Sequence, residues 1–316
     1  MPAYEVIRRQ TIAAPAEKVI QTLADFRTWQ TWSPWMRVDP NTKLEISDSP
    51  DAVGSTYRWE GEVCGSGQLT HLEIEPTRTW SRLEFFKPMK SHCETGFDAV
   101  PKTVAGCDEA CELTWTMRGK LPFYLFFFKR MIETFVGLDY ERGLLMIRDY
   151  CETGEVHSDI EVLGVRDEMD RSLVGIRGGA SMDDIGEKME ATFADVDRSL
   201  TTKPGEAASL YHTTSNLKRR WFDYTSGYID DDHTVAASDA DDGGLIRDSM
   251  PGGRFFVVRH TGSMDLLSNA WMGGVQLIRH RKLKMAKRPG YEIYVSGVHA
   301  DDDESEAVTD VYLAIK

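Results

Sequence analysis

The sequence contains no long apolar run. The longest, Leu121 to Phe128, is eight residues broken by Pro122, against the roughly 20 a bilayer-spanning helix needs. No basic-then-apolar leader opens the chain, so a cytoplasmic location is expected. Cysteine is scarce and odd in number, five in 316 residues, which excludes a disulfide framework and suits a reducing compartment. Positive charge is in deficit: 51 acidic against 37 basic residues leave a net charge of -14. That is the wrong sign for tracking a phosphate backbone. Such a field serves solubility, or favours a neutral or cationic small ligand. Also missing are a nucleophile elbow, a glycine-rich phosphate loop and an HExxH pair, so conventional hydrolase, kinase and dinucleotide chemistries lack support and no cofactor is expected.

What is present describes folded protein. Hydrophobic residues make up 41% and charged ones 28%, and at roughly 150 residues per domain the length suggests two units. Residues 4–13 (YEVIRRQTIA) mix β-branched and polar positions as a strand does. Ala14-Pro15 then opens a helical pattern with Val19, Leu23 and Phe26 on one face. Trp29, Trp32 and Trp35 follow at three-residue spacing, one side of a short helical turn. Residues 55–63, 67–75, 79–86 and 110–117 alternate between Gly, Pro and Asp turns, which predicts antiparallel strands. Met131, Phe135, Leu138, Leu145 and Ile147 place a long closing helix within 121–150. A curved sheet wrapped on a helix leaves a cavity. Trp32, Trp35, Tyr57, Trp59 and Trp80 are its candidate lining, with core filling the other role open to each. The run 121–130 reads as a buried helix start; a pocket lid and a dimer contact are the alternatives.

The stretches TIAAPAEKVIQTLADFRTWQTWSPWMRVDP (11–40) and MIETFVGLDYERGLLMIRDY (131–150) resemble the polyketide cyclase/dehydrase branch of the START-like (SRPBCC) superfamily. The resemblance implies a helix-grip fold over 1–153 with a deep apolar pocket. Its members range from lipid carriers to cyclases, so the fold does not choose the activity.

Beyond a polar stretch at 151–172 the chain repeats itself. LVGIRGGASMDDIGEKM (173–189) aligns without a gap on FFVVRHTGSMDLLSNAW (255–271), matching Arg177 with Arg259, Ser181 with Ser263 and Met189 with Trp271. A gap of three then aligns Pro204-Gly205 with Pro289-Gly290. Each copy reads as a strand, a helix capped by Ser181 or Ser263 or the Asp near it, and two strands, at 206–212 and 219–229 or at 290–297 and 307–315. Pseudo-two-fold pairing of the copies would join their sheets and leave a groove where the helices stand apart. MPGGRFFVVRHTGSMDLLSNAW, RPGYEIYVS and VTDVYLAI resemble the GyrI-like family, whose small-molecule-binding domain also serves as the effector domain of some transcription activators. No helix-turn-helix pattern precedes it, so direct nucleic acid binding is not expected. The expected fold is α+β: a helix-grip START-like domain at 1–153, then a duplicated strand-helix-strand-strand GyrI-like domain at 158–316.

Glu292 is the residue most out of place, a carboxylate in an apolar alternating strand with Tyr291 and Ile293 beside it and Tyr294 on its own face. A glutamate on an edge strand facing water is the plain alternative. In GyrI-like proteins the matching Glu lies at the floor of the ligand groove, and the resemblance implies the same role here. A carboxylate walled by rings neutralises a planar cation, and each ring adds about 0.5 to 2 kcal/mol through cation–π contact. Trp271, present only in the copy that carries Glu292, is a candidate wall, as are Tyr312, Phe222 and Tyr224; ordinary core packing is open to each. Arg177 and Arg259, the latter followed by His260, read as structural anchors. Asp230, Asp231, Asp232, Asp239, Asp241 and Asp242, like Asp301, Asp302, Asp303 and Glu304, lack calcium-loop spacing and read as solvated loops. His92, Cys93, Cys107 and Cys111 match no zinc pattern, and no metal is expected.

The expected function is binding of a small apolar, cationic or aromatic molecule for sequestration or sensing, with neither nucleic acid nor membrane as partner. The alternative is hydrolysis of strained or toxic small molecules, which some GyrI-like proteins carry out on cyclopropane-containing compounds. Glu292 would then be catalytic, positioning or deprotonating water. Oligomeric state is not legible in the sequence.

Overall fold

The computed structural model describes residues 3–121, 123–212, 220–237, 244–297 and 306–316. The chain divides into two compact units, Met1–Val156 and His157–Lys316, both α+β and each built on one antiparallel sheet. Among the described residues no helix is long and apolar enough to cross a membrane.

The first unit opens with β1 (Ala3–Ile12), α1 (Ala16–Ala24) and two short helices, α2 (Trp29–Trp32) and α3 (Pro34–Val38). Six strands follow: β2 (Lys43–Ile46), β3 (Thr56–Glu60), β4 (Ser66–Glu75), β5 (Arg78–Lys87), β6 (Ser91–Val104) and β7 (Cys107–Lys120). A 3₁₀ turn, Phe123–Phe128, leads into α4 (Lys129–Thr153). The sheet order β1, β7, β6, β5, β4, β3, β2 is a meander whose last strand pairs with the first. Pro15 precedes α1 with its φ already fixed. Ala16, Val19, Ile20 and Leu23 then form a buried stripe against β5, β6 and β7.

Aromatic rings fill the space between sheet and helices. Phe26 stacks on His71 at 4.0 Å, Trp32 meets Trp115 edge-on at 5.9 Å, and Trp115 stacks on Tyr140 of α4 at 3.8 Å. One hydroxyl fixes the last pair. Thr95 Oγ1 donates to the Thr116 carbonyl (2.9 Å) and accepts from Trp115 Nε1 (3.0 Å) and Tyr140 OH (2.8 Å), which uses its full capacity. His71 Nε2 donates to the Ala24 carbonyl (2.9 Å), leaving Nδ1 to accept from Ser81 Oγ (2.9 Å). Burial holds this imidazole below its ordinary pKa.

Trp32, Tyr57 and Trp59 are buried in this core, and Trp35 is half-buried with its ring edge toward Trp115 at 6.2 Å. Trp80 is not with them. It pairs with Gly96, one step out of phase with the core-facing Thr79 and Ser81, so pleating puts it on the outer face. There it sits between the Arg78 and Arg118 guanidiniums, at 5.3 and 5.4 Å, and donates Nε1–H to Glu94 (3.1 Å). Gly96 is required beneath it, because a Cβ would collide with the indole. The 121–130 run also departs from expectation: Leu121 is buried, but Phe123, Phe127 and Phe128 are exposed. α4 starts only at Lys129, and its buried face begins at Gly137. Cys93 pairs with Gly119 and Cys107 with Val104, at opposite ends of the β6–β7 hairpin, so these two cannot share an ion.

The second unit runs β8 (Ser158–Glu168), β9 (Arg171–Ser181), α5 (Ile185–Ser199), β10 (Ala207–Tyr211) and β11 (Trp221–Ile229). The same succession then recurs as β12 (Ile246–Met250), β13 (Gly253–Gly262), α6 (Ser268–His280), β14 (Gly290–Ser296) and β15 (Val308–Ala314). Each half therefore has one strand more than the repeat alignment predicts. The sheet order, β12, β9, β11, β10, β14, β15, β13, β8, reads the same from both ends once the halves are equated. The extra strands are exchanged: β8 pairs with β13 and β12 with β9. Neither Ser181 nor Ser263 caps a helix. Ser181 ends β9 and donates to Asp184, and Ser263 leads into a 3₁₀ turn before α6. Asp230 is buried rather than solvated, accepting from Thr234 N, Val235 N and Arg247. Asp231 pairs with Arg171. Asp239, Asp241, Asp242, Asp301, Asp302, Asp303 and Glu304 lie outside the described residues.

Trp115→Ala is expected to cost about 3 to 5 kcal/mol, measured as a fall in the urea midpoint. A loss below about 1 kcal/mol would show that the Trp115–Thr95–Tyr140 contact is not what fixes α4.

Candidate functional site

β10 and β14 are neighbours across the pseudo-two-fold, in a register that sets Ser209 opposite Glu292, Ala207 opposite Tyr294 and Tyr211 opposite Gly290. Alternate residues of both strands share one sheet face, so Tyr211, Ser209, Glu292 and Tyr294 stand together. Glu292 is 1% exposed. Its Oε1 accepts from Trp271 Nε1 (2.5 Å), and its Oε2 accepts from Tyr294 OH (2.7 Å) and Tyr211 OH (3.0 Å). The Tyr294 oxygen also lies 3.1 Å from Ser209 Oγ, itself 2.7 Å from Ser226 Oγ, so a row of hydroxyls leads away from the carboxylate. No Lys, Arg or His among the described residues pairs with Glu292. Burial raises its pKa above the ordinary 4.5, and the three hydrogen bonds partly reverse that. Tyr211 and Tyr294 are pushed well above their usual range by burial and by the carboxylate beside them, so both remain donors.

Trp271 comes from α6 and is half-buried. Its indole lies against Gly290, where a Cβ would stand 2.9 Å from Cη2, and meets Tyr211 edge-on at 5.4 Å. Close approach of the ring to the strand thus requires glycine at 290. Two residues before Trp271, Asn269 Nδ2 donates to Ser158 Oγ (2.9 Å), which in turn meets His260 Nε2 (2.9 Å). Burial lowers His260 to about 4, so the ring that holds this first turn of α6 is neutral at physiological pH.

Of the residues singled out by sequence, the structure brings Trp271 and Tyr294 onto Glu292. Phe222 and Tyr224 lie one shell away, packed with Met189 around Tyr211, the Phe222 ring 6.2 Å from that of Tyr211. Tyr291 and Tyr312 are elsewhere. They pair across β14 and β15, stack at 4.5 Å, and join Phe255 in the core on the opposite face of the sheet. A single step along a strand switches faces, which is why both leave the site. Tyr211 was missed. It ends the strand that the repeat aligns with β14, and antiparallel pairing of those equivalent strands about the two-fold is the signal that would have found it. Arg259 anchors Asp310 through two bonds of 2.7 and 2.9 Å, while Arg177 is exposed. In the first unit, the Tyr57 hydroxyl is buried with no hydrogen-bond partner among the described residues, a state that costs about 1 to 3 kcal/mol. Among the described residues no group of three or more His, Cys, Asp or Glu is placed to hold a metal ion.

Glu292 gives a signed pH effect. Its folded pKa lies above the unfolded value, so the stability contributed by the protonated carboxyl is complete below about pH 4.5 and is lost as the pH rises through the folded value. Glu292→Gln is therefore expected to melt above the parent at pH 8, with the gap closing toward pH 4.5; a gap independent of pH would refute the assignment. Tyr57→Phe is expected to leave the melting temperature of the unliganded chain unchanged or raised, whereas a loss above about 1 kcal/mol would reveal a hydrogen bond made by that phenol.

Residues 165–316 match the family model described as GyrI-like small molecule binding domain, and residues 4–152 match that described as polyketide cyclase / dehydrase and lipid transport. No curated protein matches the chain. Among solved structures, protein CV1439 from Chromobacterium violaceum is 14% identical, over 47% of this chain and 96% of that one, with a TM-score of 0.34. SAV2435 bound to tetraphenylphosphonium is 15% identical, over 48% and 92%, with a TM-score of 0.36. EcmrR in its complex with DNA is 13% identical, over 62% and 72%, with a TM-score of 0.39. With both halves matched, the chain is a fusion of a polyketide cyclase/dehydrase-type START-like domain and a GyrI-like small-molecule-binding domain.

Proposed function

We propose that the GyrI-like domain, taken as 158–316, binds a lipophilic aromatic cation against Glu292, and that the chain sequesters or senses such compounds. One observation carries this: a carboxylate held on three neutral donors, without a counter-ion, behind a half-exposed indole. Taking a carboxylate out of water is costly, and hydrogen bonds offset the cost only in part, as its raised pKa records. A cation brought alongside supplies the missing charge. Trp271 is the movable wall, since it alone of the three donors is not buried. Swung off Gly290, it would leave a slot floored by Glu292 and bounded by Tyr211 and Tyr294. Phe222 and Tyr224 would extend the wall. The chain's net charge of -14 favours a cationic guest and opposes a nucleic acid backbone.

The START-like domain, 1–153, is read as a helix-grip carrier for an apolar molecule, with Trp32, Trp35 and Trp59 as ring surfaces. The Tyr57 hydroxyl, buried without a hydrogen-bond partner among the described residues, is a polar group that a guest there would satisfy.

Calorimetric titration with tetraphenylphosphonium, whose charge is independent of pH, and with uncharged triphenylphosphine oxide tests the cation site. The parent chain is expected to prefer the cation, and Glu292→Gln to lose at least about tenfold in affinity for it, or about 1.4 kcal/mol, with little change for the oxide. Equal affinity of parent and variant for the cation would overturn the proposal. Turnover of cyclopropane-containing compounds, abolished by Glu292→Gln with affinity retained, would assign hydrolysis instead.

A further inference from the structure

The first unit carries a feature that its core does not use. After β7 ends at Lys120, the chain passes through the 3₁₀ turn into α4 with apolar side chains outward: Phe123 is 79% exposed, Phe127 62% and Met131 46%. The strand register brings another to the same end of the sheet. Cys93 lies opposite Gly119 and Ala3 opposite Lys120, so the β5–β6 turn flanks the exit of β7. In that turn Met89 is 62% exposed. Exposed apolar side chains gathered at one end of a domain mark a docking surface.

Cations surround it. Lys87 ends β5 and Lys90 lies in the β5–β6 turn, Lys120 is at the exit of β7, and Lys129 and Arg130 are at the start of α4. Glu60 takes up Lys87 at 2.9 Å and Glu133 faces Lys129 at 3.7 Å, while Glu62 is an exposed acid of the neighbouring β3–β4 turn. No carboxylate among the described residues pairs with Lys90, Lys120 or Arg130. A rim rich in lysine argues against a second protein surface, because lysine is depleted at protein interfaces. It suits lipid headgroups, where phenyl and thioether groups enter the interfacial layer and Lys and Arg reach phosphates. The net charge of -14 is screened beyond about 8 Å at physiological salt, so charges next to the surface decide the orientation.

We propose that this end of the START-like domain docks on an anionic bilayer, with Phe123, Phe127, Met131 and Met89 entering the headgroup layer and Lys90, Lys120 and Arg130 meeting lipid phosphates. The contact is peripheral and uses no spanning helix. It revises the expectation that no membrane is a partner, and it does not involve Glu292.

Co-sedimentation of the full chain with vesicles of phosphatidylcholine, with and without phosphatidylglycerol, tests this at low and high salt. Binding is expected only where phosphatidylglycerol is present, and is expected to weaken as salt rises. Lys90→Glu and Arg130→Glu should each lower affinity by about fivefold or more. Joint Phe123→Ser and Phe127→Ser should lower it by at least about tenfold with the melting temperature unchanged. Equal binding to phosphatidylcholine alone, or binding to neither vesicle, overturns the proposal. So does self-association lost in the joint Phe variant while vesicles stay unbound, which would make a second copy the occupant.

Discussion

A carboxyl group out of water, with hydrogen bonds but no positive charge among the described residues to answer it, is the constraint around which the second domain is arranged. Three donors from three different elements converge on Glu292, on β10, α6 and β14. Each is placed by something further out. The β10–β14 register places Tyr211, glycine at 290 lets Trp271 lie close, and the Ser158–His260–Asn269 contact holds the first turn of α6. Phenol and indole donors leave the carboxyl as the one carboxylic acid among these four side chains, with no lysine or arginine among the described residues paired to it.

The first domain solves a different problem by similar means. Its core holds a cluster of aromatic rings, and rings pack well only in a few relative orientations. A hydroxyl at Thr95 selects one of them by binding an indole, a phenol and a carbonyl at once. The long helix α4 is thereby tied to the sheet through Tyr140, while its first turns stay free of the core.

Much of this was legible in the residues. The internal repeat announced the two-fold, and an isolated carboxylate among tyrosines announced Glu292. Alternation along β14 was enough to put Tyr294 with Glu292, and strictly applied it would have sent Tyr291 to the other face. Tyr312 needed more, since its face depends on its pairing with Tyr291, a long-range register that a single strand does not encode. Trp80 failed for the same reason: Gly96 opposite it on β6, with Arg78 on its own strand and Arg118 on β7 over its ring, decides that it lies on the outer face. The exposure of Phe123, Phe127 and Phe128 was misjudged because apolar composition alone does not say which side chains the core takes in. Tyr211 was invisible until two sequence-distant strands were set side by side.

The exchanged strands β8 and β12 lock the two halves to each other. A lone half would have its leading strand with nothing to pair on and a bare edge on the strand that should receive one. Two identical halves cure both defects by swapping arms. Joined in one chain, the halves need not stay alike: Trp271 and Glu292 stand in one where Met189 and Ala207 stand in the other.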